Sequence, residues 1–155
     1  GRSVPAPRRC AWYGDAGARY AYSGLPLEPL PWTPALAQLR DMLVAQLGAP
    51  LNSVLANLYR DGRDRMGWHA DDEASLGPEP LIASLSLGAA RRFLLRHRTR
   101  RDLPTTAITL EHGSLLVMSG ATQRAWKHAL PAMAHVTGAR VNLTFRYVLP
   151  RRVRS

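Results

Sequence analysis

The chain has 155 residues, 46% of them apolar, a single cysteine, and a formal net charge of +10 with a pI near 11.1. That length supports a core without covalent staples, the lone Cys10 excludes an internal disulfide framework or a cysteine-rich zinc site, and no apolar run reaches the roughly 18 residues of a membrane-spanning helix. The positive charge is nearly all arginine, Lys127 being the only lysine, and it favours a polyanionic partner, with nucleic acid first.

Residues 1–34 hold half of the twelve prolines together with Trp12, Tyr13, Tyr20, Tyr22 and Trp32. Proline fixes φ and removes a backbone donor, so this segment reads as an extended, irregular arm that carries aromatics. Thr33 and Pro34 form an N-cap and N1 pair. Leu36, Leu39, Leu43 and Leu47 follow at helical spacing and Gly48 ends the run, which predicts a helix over 34–47. Beyond it the pattern shortens to strands expected at 52–60, 65–70, 81–87, 92–97, 107–110, 114–118, 125–129 and 140–148, with turn signals between them at Asp61-Gly62, Gly77-Pro78, Gly88, His112-Gly113, Ser119-Gly120 and Gly138. Eight short strands behind one helix predict a mainly β fold, a sandwich or jelly roll in one domain, with the helix packed outside. No stretch near the N-terminus reads as a signal peptide, so a cytoplasmic location, or a nuclear one in a eukaryote, is expected.

The last strand, ARVNLTFR, places Val141, Leu143 and Phe145 on one side and Arg140, Asn142, Thr144 and Arg146 on the other. Solvent is the ordinary destination of such a polar face. The stretch GWHADDE offers another, because His69 and Asp71, two apart on a strand end, present an imidazole and a carboxylate to one point. One more histidine would complete a facial triad of two His and one carboxylate, the set that leaves positions open on iron(II). His97 lies among arginines, His112 at a Glu-His-Gly turn and His135 in a loop, whereas His128 ends the run AWKHAL on a strand able to neighbour the final one in a hairpin; His128 is therefore the expected third ligand. A dicarboxylate cosubstrate chelating that iron would leave its distal carboxylate for the arginine face, since a guanidinium grips carboxylates bidentately. Asn57 and Tyr59, again two apart, could add hydrogen bonds.

The ordered set NLYRDG, HADDE, IASLSLGAARRFLLRH, LEHGSLLVM, KHALP and RVNLTFR resembles the AlkB family of iron(II)- and 2-oxoglutarate-dependent dioxygenases, over most of the chain. The resemblance implies a double-stranded β-helix. It implies Fe(II) held by His69, Asp71 and His128, with 2-oxoglutarate and O2 as cosubstrates. Arg140 and Tyr59 would hold the distal carboxylate of 2-oxoglutarate, Arg146 and Asn57 would lie nearer the chelating end, and Thr144 would be an accessory contact. Tyr20 and Tyr22 correspond to a base-clamping pair, and Asp72 either recognises an exocyclic amine or is a solvated turn residue. Arg91, with its neighbouring arginines, would contact phosphate. The implied reaction is oxidative demethylation of 1-methyladenine and 3-methylcytosine in DNA, single-stranded or duplex, by a monomer, with the arm 1–33 contributing to the substrate site. RNA is a further partner to consider, and an iron and 2-oxoglutarate oxygenase acting on RNA, protein or a small molecule is the alternative. After His128 the chain reads ALPAMAH, without the basic triplet that the resemblance places there, which weakens the expectation of a duplex preference.

Overall fold

The computed structural model describes residues 8–18, 20–22 and 25–149, and for residues 20–22 and 25–27 the backbone alone. Two antiparallel sheets face each other. The first orders its strands β1 (Arg9–Gly14), β4 (Ser53–Tyr59), β11 (Arg140–Arg146), β6 (Ile82–Gly88) and β9 (Leu115–Met118). The second orders β5 (Met66–His69), β10 (Trp126–Leu130), β7 (Arg91–His97) and β8 (Thr106–Leu110). A short hairpin joins β2 (Tyr20–Tyr22) to β3 (Leu25–Leu27). Every expected strand is present with ends within two residues of the sequence reading, and the arrangement is a jelly roll.

Two expectations need correction. The arm is not irregular throughout: Arg9–Gly14 pairs along its whole length with β4, from Arg9 opposite Leu58 to Gly14 opposite Ser53, and Trp12 joins the core. Trp12 also donates its indole N–H to the carbonyl of Ala18, 3.1 Å away, which satisfies the one polar atom that its burial would strand. Further, β10 is no hairpin partner of β11. It pairs with β5 and β7 in the second sheet, and residues 131–139 cross between the sheets.

The helix α1 (Pro34–Leu47) forms as its caps dictate. The Thr33 hydroxyl accepts from the Leu36 amide, and Gly48 adopts the left-handed conformation at φ 62° while its amide donates to Val44. Its apolar stripe, Leu36, Leu39, Leu43 and Leu47, covers Val54, Ala83, Leu143 and Phe145 on the outer face of the first sheet. Because strand side chains alternate, burying Val141, Leu143 and Phe145 under the helix turns Arg140, Asn142, Thr144 and Arg146 into the space between the sheets. All four are buried.

One end of that space is closed by two latched loops. The Gly62 amide donates to Val136 O at 2.7 Å, and the Met133 amide donates to Gly62 O at 2.8 Å. Arg91 staples the same loops. Its guanidinium donates to the carbonyls of Asp61, Asp64 and Pro131 at 3.1, 2.7 and 2.9 Å. With 1% of its surface exposed, Arg91 cannot reach a phosphate, so the surface role expected for it is replaced by a structural one. A Cβ added at Gly62 would lie 1.8 Å from Met133 O. Gly62→Ala is therefore expected to destabilise the fold by about 1–3 kcal/mol through overpacking. At about 2–4 °C per kcal/mol for this size, thermal denaturation would show Tm several degrees lower. An unchanged Tm would mean that the latch contributes nothing.

Candidate active site

His69 at the end of β5 and His128 on β10 are directly opposite in the sheet register, and their ring centroids lie 4.2 Å apart. Asp71, two residues on, turns into the same point. One donor atom from each of the three lies within 4.8 Å of the others, and among the described residues they are the one group of three or more such side chains so placed. The other candidate histidines are engaged elsewhere: His112 accepts from the Gly88 amide, His97 accepts from the Arg100 amide, and His135 is exposed.

The tautomer of His69 follows from its partner. Its Nδ1 is 2.8 Å from the Gly67 carbonyl, which can only accept, so Nδ1 carries the proton and Nε2 keeps a lone pair facing the cluster. Burial pushes the His128 imidazole down to about 4, and His69 and Arg146 add to the shift against the pull of Asp71. His128 is thus neutral at pH 7, the form that ligates a metal. For Asp71, burial alone would raise the carboxyl, but the Arg146 guanidinium, with His128 and His69, outweighs it and holds the group below the ordinary carboxylate range. Arg146 Nη2 donates to Asp71 Oδ2 at 2.8 Å, both side chains being buried, which leaves Oδ1 on the side of His69 Nε2, 3.8 Å away. Gln123, which the sequence reading missed, fixes the backbone of the same residue by accepting from the Asp71 amide at 2.9 Å. No periodic signal marks it, since it sits on the single-turn helix α2 (Thr122–Ala125).

The cluster opens on a cavity that runs out to solvent at its mouth and is lined by Asn57, Tyr59, Ser84, Arg140, Asn142, Thr144 and Arg146 among others. At its far end Arg140 lies over the Tyr59 ring at 5.3 Å and donates to Ser86 Oγ at 2.9 Å, yet its Nε is buried without a partner. Such an unpaired buried donor is costly unless a ligand satisfies it. Burial raises the Tyr59 phenol above its ordinary range, so it stays neutral and able to donate. Asn57 is oriented from the arm: its Oδ1 accepts from Arg8 Nε at 2.8 Å and from Cys10 Sγ at 3.2 Å, which leaves its amide N–H groups for the cavity. Arg8 was invisible to sequence reasoning. Ser84 and Ser86 were also missed, though their alternation with apolar residues along β6 was a signal that could have found them; they pair in register with Thr144 and Asn142. Thr144 itself donates to Asn142 Oδ1, and Asn142 donates to Ser84, so these two join the cavity wall as a relay of hydrogen bonds.

Comparison with known proteins agrees with this geometry. The sequence profile described as the 2OG-Fe(II) oxygenase superfamily matches residues 2–146. The chain belongs to that superfamily. Within it the chain falls in the AlkB family: it is 46% identical over 156 residues to the mouse protein named DNA oxidative demethylase ALKBH2, covering 97% of this chain and 65% of that one. It is also 45% identical over 156 residues to the rat alpha-ketoglutarate-dependent dioxygenase alkB homolog 3, covering 96% of this chain and 52% of that one. The chain thus spans about half to two thirds of the length of the curated relatives it matches. A solved structure titled "The structure of OsALKBH1" superimposes with a TM-score of 0.65 at 19% identity, over 91% of this chain and 78% of that one, and shares its fold. The family's iron(II) and 2-oxoglutarate fit the residues present. Two imidazoles and a carboxylate form an open donor set suited to iron(II), and the partnerless Arg140 donor beyond them calls for an anion.

The residues expected at the substrate fall differently. Tyr20 and Tyr22 lie on β2, whose backbone pairs with β3, but their side chains lie outside the described residues. Asp72 is half exposed and ion-paired with Arg98, whose Nη2 also donates to Gln123 O at 3.0 Å. Its Oδ2 is thus engaged by an arginine while the side chain stays exposed, an arrangement that selects neither of the two roles expected for it.

Proposed function

We infer that this chain is an oxidative dealkylase of N-alkylated nucleic-acid bases, of the 1-methyladenine and 3-methylcytosine type, acting in DNA alkylation repair. The observation that carries the chemistry is the His69–Asp71–His128 cluster, with Asp71 and His128 buried, at one end of a cavity whose other end offers an unsatisfied guanidinium donor. The names of the relatives, DNA oxidative demethylases among them, supply the substrate class. In this reading residues 1–155 form one oxygenase domain and residues 1–33 contribute to the substrate site.

Iron(II) bound at the cluster, with 2-oxoglutarate and O2, would supply the oxidation of an N-methyl group to N-hydroxymethyl, 2-oxoglutarate leaving as succinate and CO2. The chain's own residues do the positioning. His69, Asp71 and His128 would hold the metal. Arg146 keeps Asp71 ionised and aims one oxygen into the cluster. Arg140, with Tyr59, would hold the distal carboxylate, and Asn57 would donate beside it, while Thr144 stands as an accessory wall contact. The oxidised carbon then leaves as formaldehyde: the hydroxyl gives its proton to water at the mouth as the C=O bond forms, and the breaking C–N bond returns its electron pair to the base nitrogen. Tyr20 and Tyr22 would clamp the base at that mouth, since aromatic faces stack on flipped bases.

The test compares parent and Tyr22→Ala for formaldehyde release from a methylated single-stranded oligonucleotide and for 2-oxoglutarate consumption without substrate. Loss of about 1–3 kcal/mol of substrate binding is expected, with uncoupled consumption unchanged. Full demethylation by the variant would remove the clamp, and a parent that consumes 2-oxoglutarate but never demethylates a base in DNA or RNA would leave a protein or small molecule as substrate.

A further inference from the structure

Asp72 stands where the cavity meets solvent. Asp71 before it lines the cavity and is buried, whereas Asp72 is exposed, so the chain crosses the rim between them. What distinguishes this acid is its mate. Pairs such as Arg63 with Asp61 and Arg100 with Asp102 join residues two apart and need no long-range fold. Arg98 reaches Asp72 across 26 residues, so the fold itself makes this pair. Arg98 is also anchored from behind. Its amide donates to Ala125 O at 2.9 Å and its Nη2 to Gln123 O at 3.0 Å, which pins both ends of the residue to α2. Its Nε is buried with no hydrogen-bond partner, a cost that a guanidinium swung into solvent would avoid. The same short helix holds the other acid, since the Gln123 side chain accepts from the Asp71 amide. The α2 turn therefore carries a fixed cation to Asp72, as β11 carries Arg146 to Asp71.

Each of the two successive acids at the rim thus has its own guanidinium, and their charges are cancelled. That cancellation bears on the base. Methylation of cytosine at N3 gives a base that carries a positive charge at neutral pH beside its exocyclic amine, whereas methylation of thymine at N3 gives a neutral base flanked by two carbonyls. A bare carboxylate at the rim would favour the cation. A carboxylate mated to an arginine attracts the cation less, while the oxygen that the arginine leaves, Oδ1, can still accept from an amine.

We propose that Arg98 is a positioning residue for substrate choice: by holding and neutralising Asp72 it limits how strongly the mouth prefers a cationic alkylated base to a neutral one. This deepens the dealkylase reading above and rests on it. The test measures kcat/KM for formaldehyde release from two single-stranded oligonucleotides of one sequence, one carrying 3-methylcytosine and the other 3-methylthymine, at a single neutral pH. Because the strands differ in one base, contacts to their phosphates cancel in the ratio of the two values. Arg98→Gln is expected to raise that ratio, cation over neutral, about three- to tenfold, the size of one unit charge acting over a few ångströms at a wet surface. Asp72→Asn leaves the arginine without its mate and should lower the ratio by a similar factor. The double variant should return close to the parent, and Arg98→Lys should keep the parent's ratio because the charge stays. Near-ultraviolet circular dichroism checks that each variant is folded. An unchanged ratio in Arg98→Gln, with both substrates falling in parallel or not at all, would reduce the pair to a structural brace and overturn the proposal while leaving the dealkylase reading intact. So would a shift of the two single variants in the same direction. Should Arg98→Gln fail to fold, the pair Asp72→Asn and Arg98→Lys decides: a lowered ratio in the first with the parent's ratio in the second supports the role, and any other pattern sinks it. A parent that consumes 2-oxoglutarate but demethylates no base would remove the dealkylase reading and this role with it.

Discussion

His69→Ala, Asp71→Ala and His128→Ala are each expected to abolish turnover while leaving a folded chain. His128 shows the balance of losses most clearly. Its ring packs on Phe93 with centroids 5.2 Å apart, so truncation costs packing, but the loss is that of one half-filled contact at an open cavity and not of a core layer. A destabilisation of about 1–3 kcal/mol is the ordinary range for such a change. The effect on metal binding is far larger. Changing a partner in the outer shell of a metal site costs about 10–100-fold in affinity, and removing a ligand costs at least that much. Anaerobic calorimetric titration with iron(II) in the presence of 2-oxoglutarate should therefore show at least a hundredfold weaker binding in each variant, with the near-ultraviolet circular dichroism of the parent retained. His135→Ala is the control: His135 is exposed and is not one of the three clustered side chains, and its loss should change neither affinity nor rate. Wild-type iron affinity in His128→Ala would mean that the third ligand is another residue.

The route to this cluster shows what a sequence can carry and what it cannot. The period of two in HADDE placed His69 and Asp71 together, and the period of two in ARVNLTFR sorted three apolar residues toward the helix and four polar ones toward the cavity; both hold because alternation is a property of a strand wherever it sits. His128 was reached through an expected hairpin with β11 that does not exist. Its strand lies in the opposite sheet, beside β5, and sheet partnership at long range is decided by crossovers that leave no local pattern. The arginines were the least legible. The same side chain serves as a buried staple at Arg91, as the mate of Asp72 at Arg98, as the brace of Asn57 at Arg8 and as the partner of a metal carboxylate at Arg146. Its long stem and always-charged head fit each of these settings, and only the neighbours supplied by the fold distinguish them. Gln123 and the two buried serines of β6 divide in the same way: the serines betray themselves by alternation, the glutamine by nothing.

The second large effect is expected at Arg140. In Arg140→Lys a point charge replaces a planar fork, and the reach to Ser86 Oγ and to the Tyr59 face cannot both be kept by one ammonium. A hydrogen bond to a charged group contributes about 1.5–3 kcal/mol, equivalent to roughly ten- to a hundredfold in affinity. Succinate release over a range of 2-oxoglutarate should accordingly show an apparent KM raised by that factor. The rate at saturation should change much less, because Arg140 touches none of the three cluster residues. Ser86→Ala separates ligand binding from simple support of the arginine: it removes one neutral hydrogen bond, worth about 0.5–1.5 kcal/mol, so its KM should rise by less than that of Arg140→Lys. Arg146→Lys should show the opposite split. That side chain is bonded to Asp71, so disturbing it reaches the cluster directly and should lower the saturated rate even where 2-oxoglutarate still binds. Finding KM unchanged in Arg140→Lys would return the polar face of ARVNLTFR to a purely structural role. Finding both arginine variants altered in KM alone would detach Arg146 from the metal site, leaving Asp71 to be held by Gln123.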